Sequence, residues 1–231
     1  MKVAVIPARG GSKRIPRKNV KLFHGKPIIQ YAIEVARATG IFDYILVSTD
    51  DPEIQQIAIE LGANAPFVRP SELSTDLTPT VPVIANAIEE LSNLGFAIDE
   101  ACCIYPCVPF LAAKDLGAAH RLLLNNKSNY VFPVTTFPSP VQRALQRFDD
   151  GKVKPLYSEN VGVRTQDLEP AYYDTGQFYW GKKSAWLKKL NLHLHASTIL
   201  IPEWRAVDID TPEDWKRAEI LYSILFEKNK S

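Results

Sequence analysis

The segment KVAVIPARGGSKRIPRKN, residues 2–19, joins a short apolar run to a strongly basic loop. The apolar run Lys2–Ile6 predicts a buried strand. Seven basic residues and no Asp or Glu lie between Arg9 and Lys26. Such a cluster repels itself unless an anion lies within it. The stretch therefore predicts a site for a negatively charged ligand at the end of the first strand.

A polyphosphate is the anion that this loop suits best. Gly10 and Gly11 allow backbone N–H groups to approach a ligand, and Arg9 and Lys18 supply fixed positive charge. The loop matches neither the glycine fingerprint of dinucleotide-binding folds nor the P-loop. The alternative is a basic surface loop that contacts RNA or nothing, which its position after a strand disfavours.

The composition is that of a globular protein rather than a nucleic-acid coat or a membrane-surface binder. The 231 residues carry 27 Lys and Arg against 26 Asp and Glu. No segment approaches the ~20 apolar residues of a membrane span, and the N-terminus has no secretory h-region. Cys102, Cys103 and Cys107 are expected to be reduced thiols in a cytoplasmic protein. A metal site is the alternative, but it lacks a fourth ligand nearby.

Apolar strands and amphipathic helices alternate along most of the chain. The predicted strands are Lys2–Ile6, Tyr44–Val47, the short extended segment Pro66–Val68, Ala101–Tyr105, Tyr130–Val134, Tyr172–Tyr179 and Ser197–Ile201. The predicted helices are Pro27–Thr39, one from Asp51 that stops at Gly62, Val81–Leu94, Asp115–Leu124, one near Lys182–Lys189, and one that Thr211 caps. This order predicts an α/β fold with a mostly parallel sheet and helices on both faces, formed by one domain over residues 1–231.

Ligands of such sheets bind at the carboxyl ends of the strands. We therefore expect the site to be formed by the loops 8–19, 48–51, 69–80, 106–110 and 207–211. The alternation breaks over residues 137–171, where prolines and a Asp149–Gly151 turn suggest hairpins. We interpret this segment as an insertion that contacts another subunit.

Two aspartates near the C-terminus are candidate Mg²⁺ ligands. Asp208 and Asp210 point to the same side if their segment is extended, and hard oxygen ligands beside phosphates suit Mg²⁺. The alternative is that Asp210 only precedes a helix cap while Asp208 pairs with a lysine. Asp50 and Asp51 are weaker candidates, and Asp51 is expected to be a helix cap.

Two further segments carry polar groups suited to recognition. The hydroxyl-rich loop 69–80 suits a base-binding pocket, although a helix entrance would explain it nearly as well. The stretch 172–177 mixes aromatic rings with acid, hydroxyl and amide groups and suits a sugar, although buried aromatics are the simpler explanation. His193 and His195 are expected on one side of a strand, without an acidic partner, as solvent or packing residues.

These motifs together resemble the CMP-sugar synthetases, or acylneuraminate cytidylyltransferases, which activate acidic nine-carbon sugars. The matching segments are 6–13 with Lys18 and Asn19, 48–51, Arg69 and Pro70 with Leu73 and Asp76, and 208–211. They occur in the family's order from residue 3 to about 215. The resemblance implies a Rossmann-like nucleotide-diphospho-sugar transferase fold, a homodimer in which the 137–171 insertion reaches the neighbouring site, and no nucleic-acid or membrane partner.

The resemblance also implies roles for individual residues. The implied catalytic residues are Arg9, Lys18, Asp208 and Asp210, of which the two aspartates would bind Mg²⁺. The implied nucleotide-binding residues are Ala8, Gly10, Gly11, Ser12, Lys13, Asn19, Arg69, Thr78 and Thr80. The implied sugar-binding residues are Tyr105, Tyr173, Asp174 and Gln177.

One departure from the family pattern concerns the sugar. Members that act on sialic acid carry glutamine where this chain has Tyr105, and this chain resembles the branch that acts on pseudaminic acid. The implied reaction transfers CMP from CTP to the anomeric hydroxyl of that sugar and releases pyrophosphate. The alternatives are a synthetase for sialic, legionaminic or an eight-carbon keto acid, a glycosyltransferase, and a non-catalytic nucleotide-binding module.

Overall fold

The computed structural model of the protein describes residues 1–125 and 127–227. The strands are β1 (Lys2–Pro7), β2 (Leu22–Phe23), β3 (Lys26–Pro27), β4 (Tyr44–Ser48), β5 (Glu100–Ile104), β6 (Tyr130–Thr136), β7 (Leu145–Arg147), β8 (Val153–Pro155), β9 (Tyr172–Asp174), β10 (Phe178–Lys182) and β11 (Ala196–Leu200). The helices are α1 (Ile28–Ala38), α2 (Pro52–Glu60), α3 (Thr80–Asn93), α4 (Ala113–Asn125), α5 (Lys183–Leu187) and α6 (Pro212–Tyr222). None of these helices is long and apolar enough to cross a membrane.

Seven strands form the main sheet, in the order β11-β6-β10-β5-β1-β4 with β9 paired to β6. The pairs β1–β4, β1–β5 and β6–β11 are parallel. Strand β10 lies antiparallel between β5 and β6. The prediction of a mostly parallel sheet is therefore confirmed, although two strands are antiparallel: β10 near the middle of the sheet, and β9 against β6.

Helices cover both faces of the sheet, as predicted. The side chains of β1 alternate between the two faces because successive residues of a strand point in opposite directions. Ala4 and Ile6 pack in a core with buried residues of α1, α2 and α4. Val3 and Val5 pack in a second core with residues of α3 and α5.

A third apolar cluster lies outside the sheet and anchors the basic loop. It joins Ile15 of the loop to Val207, Ile209 and Trp215 at the start of α6. Thr211 caps this helix, as predicted, and forms a reciprocal capping box: its hydroxyl accepts from the Asp214 N–H at 3.2 Å, and its own N–H donates to the Asp214 carboxylate at 2.9 Å. The cluster thus holds the loop 8–19 beside the segment 207–211.

The predicted strand Tyr172–Tyr179 is wrong, because the chain forms two strands there. Gly176 has a φ of 62°, in the left-handed region. Its N–H donates to the Asp174 carboxylate at 2.9 Å, which closes a turn between β9 and β10. Strand β9 pairs with the outer end of β6, whereas β10 runs between β5 and β6.

Two other local predictions are also wrong. Residues 192–195 form turns, and β11 begins only at Ala196, so His193 and His195 do not share a strand. His193 also has an acidic partner, since its Nε2 lies 3.0 Å from Oδ2 of Asp174. The segment Pro66–Val68 forms no strand, and the nearest strand-like pairing is a bridge between Leu46 and Asn64.

The segment 137–171 contains one hairpin rather than several. Strands β7 and β8 pair only with each other, and three short 3₁₀ segments complete the insertion. Its larger apolar side chains are exposed: Phe137, Leu145, Phe148, Val153, Leu156, Tyr157 and Val161. The division of the chain into one domain with this insertion stays a prediction.

Candidate active site

A cavity of about 570 Å³ lies at the carboxyl ends of β1 and β5. Most of its lining comes from four of the five predicted loops, namely 8–19, 69–80, 106–110 and 207–211, and the rest includes Tyr105 and Gly176. The fifth loop, 48–51, supports the lining from behind, because Asp50 bonds both Gly10 and Arg69. The cavity therefore lies at the expected edge of the sheet.

Most of the candidate site residues line this cavity. Those in the lining are Arg9, Ser12, Lys13, Lys18, Asn19, Arg69, Thr78, Thr80, Tyr105, Asp208 and Asp210. Those outside it are Ala8, Gly10, Gly11, Tyr173, Asp174 and Gln177. Their roles stay predictions, but the side chains that carry charge toward a ligand lie together.

Local contacts fix the shape of the basic loop. The Asn19 amide donates to the Arg9 carbonyl at 2.9 Å and ties the two ends of the loop together. Arg17 has a φ of 56° and donates to the Asp51 carboxylate, with Nη2 at 3.0 Å from Oδ1. The Arg17 guanidinium lowers the pKa of Asp51 to about 2, assisted by the N–H groups that Asp51 caps at the start of α2. The prediction that Asp51 caps a helix is confirmed.

Gly10 is required by its close contact with α2. A Cβ on Gly10 would lie 2.4 Å from Oδ2 of Asp51, whereas a Cβ on Gly11 would meet nothing within 4 Å. The Gly10 N–H donates to Oδ1 of Asp50 at 3.0 Å. This N–H therefore holds the basic loop to loop 48–51 and does not face the cavity.

Carboxylates from other loops neutralise the basic cluster, so its charge is not left unpaired as the sequence suggested. Asp76 lies 2.5 Å from both Arg9 Nη1 and Lys13 Nζ. The hydrogen bond from Lys13, and to a smaller extent the one from Arg9, lowers the pKa of Asp76. Asp210 pairs with Arg14 at 2.8 Å and with Lys18 at 3.1 Å. Each cation thus lies at the cavity with an internal partner that a bound anion would replace.

Arg69 forms a buried positive centre in the cavity wall. Only 4% of its surface is exposed. Its Nε donates to the Ser74 hydroxyl at 3.0 Å, and its Nη2 lies 3.8 Å from Asp50 Oδ1. Burial lowers the pKa of Arg69, which Asp50 partly opposes. The supporting role of Asp50 was not predicted, although its place directly after a strand was the available signal.

Asp208 and Asp210 both face the cavity, because the intervening Ile209 is buried in the third apolar cluster. Burial raises the pKa of Asp208, and the negative charge of Asp210 raises it further. Among the described residues Asp208 forms no salt bridge, whereas Asp210 pairs with Lys18 at 3.1 Å. The expected lysine partner therefore belongs to Asp210 rather than to Asp208.

Tyr105 and Cys107 line the cavity after β5. The Tyr105 hydroxyl is 2.6 Å from the Thr80 hydroxyl, and burial raises its pKa. Cys107 Sγ donates to Asn19 Oδ1 at 3.6 Å, and burial raises its pKa to about 12. The raised pKa favours the neutral thiol form of Cys107 at pH 7.

Three candidate sugar-binding residues contact protein groups instead of the cavity. The Gln177 amide donates to the Arg205 carbonyl, and only 2% of the surface of Gln177 is exposed. Tyr173 packs against Phe137, with ring centroids 5.0 Å apart. Asp174 accepts hydrogen bonds from three neighbours, one of them the Tyr179 hydroxyl at 2.8 Å.

Known proteins of similar sequence include cytidylyltransferases. The family described as cytidylyltransferase matches residues 3–224. The pseudaminic acid cytidylyltransferase of Campylobacter jejuni serotype O:2 is 42% identical over 226 residues, which is 97% of each chain. The CMP-N,N'-diacetyllegionaminic acid synthase of Legionella pneumophila is 27% identical over 96% of each chain.

Solved structures show the same fold at low sequence identity. A CMP:2-keto-3-deoxy-manno-octonic acid synthetase complexed with CTP has a TM-score of 0.70 at 17% identity, covering 96% of this chain and 98% of that one. A 4-diphosphocytidyl-2C-methyl-D-erythritol synthase from Anaerococcus prevotii has a TM-score of 0.60 at 14% identity, with coverage of 95% and 96%. With the match over residues 3–224 and the full-length relative from Campylobacter jejuni, the chain belongs to the cytidylyltransferase family.

Proposed function

We propose that the protein transfers CMP from CTP to the anomeric hydroxyl of pseudaminic acid and releases pyrophosphate. The observation that carries the proposal is the convergence of two kinds of charge in one cavity. Arg9, Lys13 and Lys18 line the cavity together with Asp208 and Asp210. The first group suits the phosphates of a nucleotide, and the second suits a divalent cation bound with it.

The aspartates fit Mg²⁺ that arrives with a nucleotide. The described residues contain no group of three or more His, Cys, Asp or Glu able to hold a metal alone. Mg²⁺ usually takes one or two carboxylates together with substrate phosphates. Asp208 supplies a partly buried carboxylate whose ionisation is disfavoured by burial and by Asp210, so a cation would stabilise its charged form. When bound, Mg²⁺ supplies neutralisation of charge at the α-phosphate and favours ionisation of a neighbouring hydroxyl.

The chain's own residues hold and orient the reactants. Arg9 and Lys18 would exchange their bonds with Asp76 and Asp210 for bonds with phosphate oxygens. The sugar's anomeric oxygen then forms a bond to the α-phosphorus, while the bond from that phosphorus to the bridging oxygen of pyrophosphate breaks. The hydroxyl proton is released, and the basic side chains stabilise the negative charge on the leaving pyrophosphate.

The cytosine end of the cavity is proposed to lie at Arg69 and loop 69–80. Arg69 is buried and fixed by Ser74, so it offers a rigid donor. The hydroxyls of Thr78 and Thr80 line the same region. Small, fixed donors of this kind discriminate between bases through hydrogen bonds rather than through charge.

The proposal of pseudaminic acid rests on Tyr105 and on the named relative. A phenol at the cavity wall, with its hydroxyl held by Thr80, presents more apolar surface than a glutamine would. The relative that is 42% identical is named a pseudaminic acid cytidylyltransferase, whereas the legionaminic acid synthase is 27% identical.

Pyrophosphate release tests the proposal. The purified protein is mixed with CTP, Mg²⁺ and, separately, pseudaminic, legionaminic and sialic acid, and the products are identified by mass spectrometry. We expect CMP-pseudaminic acid to form fastest. Faster turnover of another acid would overturn the substrate, and CTP binding without turnover of any acid would indicate a non-catalytic nucleotide-binding module.

We also propose that a second copy of the chain covers the 137–171 insertion, as the resemblance implies. The exposed apolar groups of its hairpin, such as Leu145, Val153 and Leu156, support this proposal because a solvated hairpin of two short strands is marginally stable alone. We place the reaction in the cytoplasm, consistent with the free thiols of Cys102 and Cys103.

A further inference from the structure

The Asp174 carboxylate lies outside the cavity but holds three hydrogen-bond donors. Its Oδ2 accepts from the Tyr179 hydroxyl at 2.8 Å and lies 3.0 Å from His193 Nε2. Its Oδ1 accepts from the Gly176 N–H at 2.9 Å. A carboxylate with donors at both oxygens is fixed in orientation, so Asp174 joins β9, β10 and the turn before β11 at one point.

Tyr179 continues this network toward the cavity. Its side chain is buried, and its ring meets the Tyr105 ring edge to face with centroids 5.8 Å apart. The Tyr105 hydroxyl in turn lies 2.6 Å from the Thr80 hydroxyl, and both of these residues line the cavity. A continuous path of contacts therefore runs from the exposed His193 through Asp174 and Tyr179 to the cavity wall.

The path also fixes the direction in which the Tyr179 hydroxyl donates its hydrogen bond. Since an ionised carboxylate only accepts, the Tyr179 hydroxyl proton must point to Asp174, which leaves only oxygen lone pairs on the other side of that phenol. Phe132 packs against both ends of this path, because its ring centroid lies 5.3 Å from that of His193 and 5.5 Å from that of Tyr179. The Tyr179 ring consequently has little freedom to rotate or tilt against Tyr105.

We propose that Asp174 and His193 are positioning residues that set the affinity for the acidic sugar by holding Tyr179 against Tyr105. The inference rests on the proposed function and names the residues of the same site that act on the sugar rather than on CTP. Neither Asp174 nor His193 lines the cavity, so their effect passes through neighbours that do, namely Gly176 and, by way of Tyr179, Tyr105. Thr80 meets this network through Tyr105, whereas Arg9 and Arg69, at the nucleotide end, pair with Asp76, Asp50 and Ser74 instead.

Steady-state kinetics of four variants test this assignment. Loss of one hydrogen bond that positions a contact group predicts a rise in KM for the sugar acid of about tenfold in Asp174→Asn and about threefold in His193→Ala. The KM for CTP should stay within about twofold of the wild type in both. Because the two residues act on one path, the double variant should be no worse than Asp174→Asn alone. His193→Gln, which keeps a donor, should restore most of the affinity.

His195→Ala is the matched control, because His195 is exposed in the same turn and its side chain does not contact Asp174. It should behave as the wild type. Equal loss in His193→Ala and His195→Ala, fully additive losses in the double variant, or a parallel rise in both KM values would overturn the assignment. His193 is 63% exposed at its side chain, so its replacement should leave folding intact.

NMR signals of the tyrosines test this inference independently of the proposed function. The protein is labelled with ¹³C at the phenol carbon of its tyrosines, and the Tyr179 signal is assigned by its loss in Tyr179→Phe. His193→Ala should shift the Tyr179 and Tyr105 signals, and His195→Ala should not. If the wild type turns over no sugar acid, the proposed function fails while this comparison still decides whether the path exists; unchanged signals in His193→Ala would refute it.

Discussion

The ammonium of Lys18 lies 3.1 Å from Oδ1 of Asp210 and donates to the Ile209 carbonyl at 2.8 Å. This pair joins the end of the basic loop to the segment that carries the proposed Mg²⁺ ligands. A proposed phosphate-binding cation and a proposed metal ligand therefore neutralise each other until substrates bind. Replacing either residue should therefore leave the charge of the other without its partner.

Asp210→Asn should abolish most of the catalytic activity while the fold persists. The variant loses a proposed Mg²⁺ ligand. Because this ligand helps to compensate charge in the transition state, we expect kcat to fall by about a hundredfold or more. Pyrophosphate release at saturating CTP and several Mg²⁺ concentrations measures it. The melting temperature should change little, because Asp210 is partly exposed and its ion pairs are surface pairs.

Glu34→Gln is a suitable control for Asp210→Asn, because Glu34 also pairs with a lysine in a partly exposed position but does not line the cavity. Its turnover should match that of the wild type. Normal turnover and normal Mg²⁺ dependence in Asp210→Asn would refute the role of segment 207–210. Lys18→Met combined with Asp210→Asn should lose less than the sum of the two single losses, since the pair is coupled.

Gly10→Ala and Gly11→Ala should differ sharply despite being adjacent. A Cβ at Gly10 would lie 2.4 Å from an Asp51 carboxylate oxygen, but a Cβ at Gly11 meets nothing within 4 Å. Gly10→Ala must displace Asp51 or the loop, so we expect a loss of about 1–3 kcal/mol in the free energy of unfolding and weaker CTP binding. Gly11→Ala should be close to neutral. Chemical denaturation and calorimetric CTP titration measure both, and equal behaviour would contradict this account.

Periodicity and turn residues predicted the main elements well because those elements depend on local signals. The apolar runs of β1 and β5 and the Thr211 cap of α6 are determined by residues close in sequence. The break at Gly176 was missed, because the aromatic run on either side has the same pattern as one continuous strand. Tertiary pairing with β6 and β5 decides where each half lies.

The site could be predicted as a set of loops but not as a set of contacts. The charges of Arg9 and Lys18 are visible in the sequence, whereas their partners Asp76 and Asp210 are 67 and 192 positions away. Such pairs depend on the topology of the sheet, which brings the ends of distant strands together. For the same reason, the contact between His193 and Asp174 left no signal in the sequence.

Acid should weaken the fold partly through Asp51. Its pKa is lowered from 3.8 to about 2, chiefly by the hydrogen bond from Arg17. A lowered pKa stabilises the fold above the unfolded value of 3.8, and this contribution disappears as the pH falls through about 2. After allowance for the partial exposure of Arg17, the contribution is about 1–2 kcal/mol at pH 7, and about half of it is lost by pH 3.

Denaturant unfolding at pH 6, 4 and 3 measures this contribution. Asp51→Ala should be less stable than the wild type at pH 6, because it also loses a helix cap, but its stability should depend less on pH between 4 and 3. Glu53→Gln, which removes the more exposed acidic partner of Arg17, should keep most of the wild-type dependence. An Asp51→Ala curve parallel to that of the wild type would show that Asp51 is not the titrating group.

Leu156→Glu should separate the proposed dimer into monomers. Leu156 is 57% exposed beside the β7–β8 hairpin, and a charge at a covered apolar contact would have to be desolvated. Leu94→Glu is the matched control, since Leu94 is 55% exposed at the end of α3, outside the insertion. Sedimentation velocity should show a dimer for the wild type and for Leu94→Glu, and a monomer for Leu156→Glu. A wild type that sediments as a monomer would refute the role of the insertion, and a dimer that survives Leu156→Glu would place its interface elsewhere on the chain.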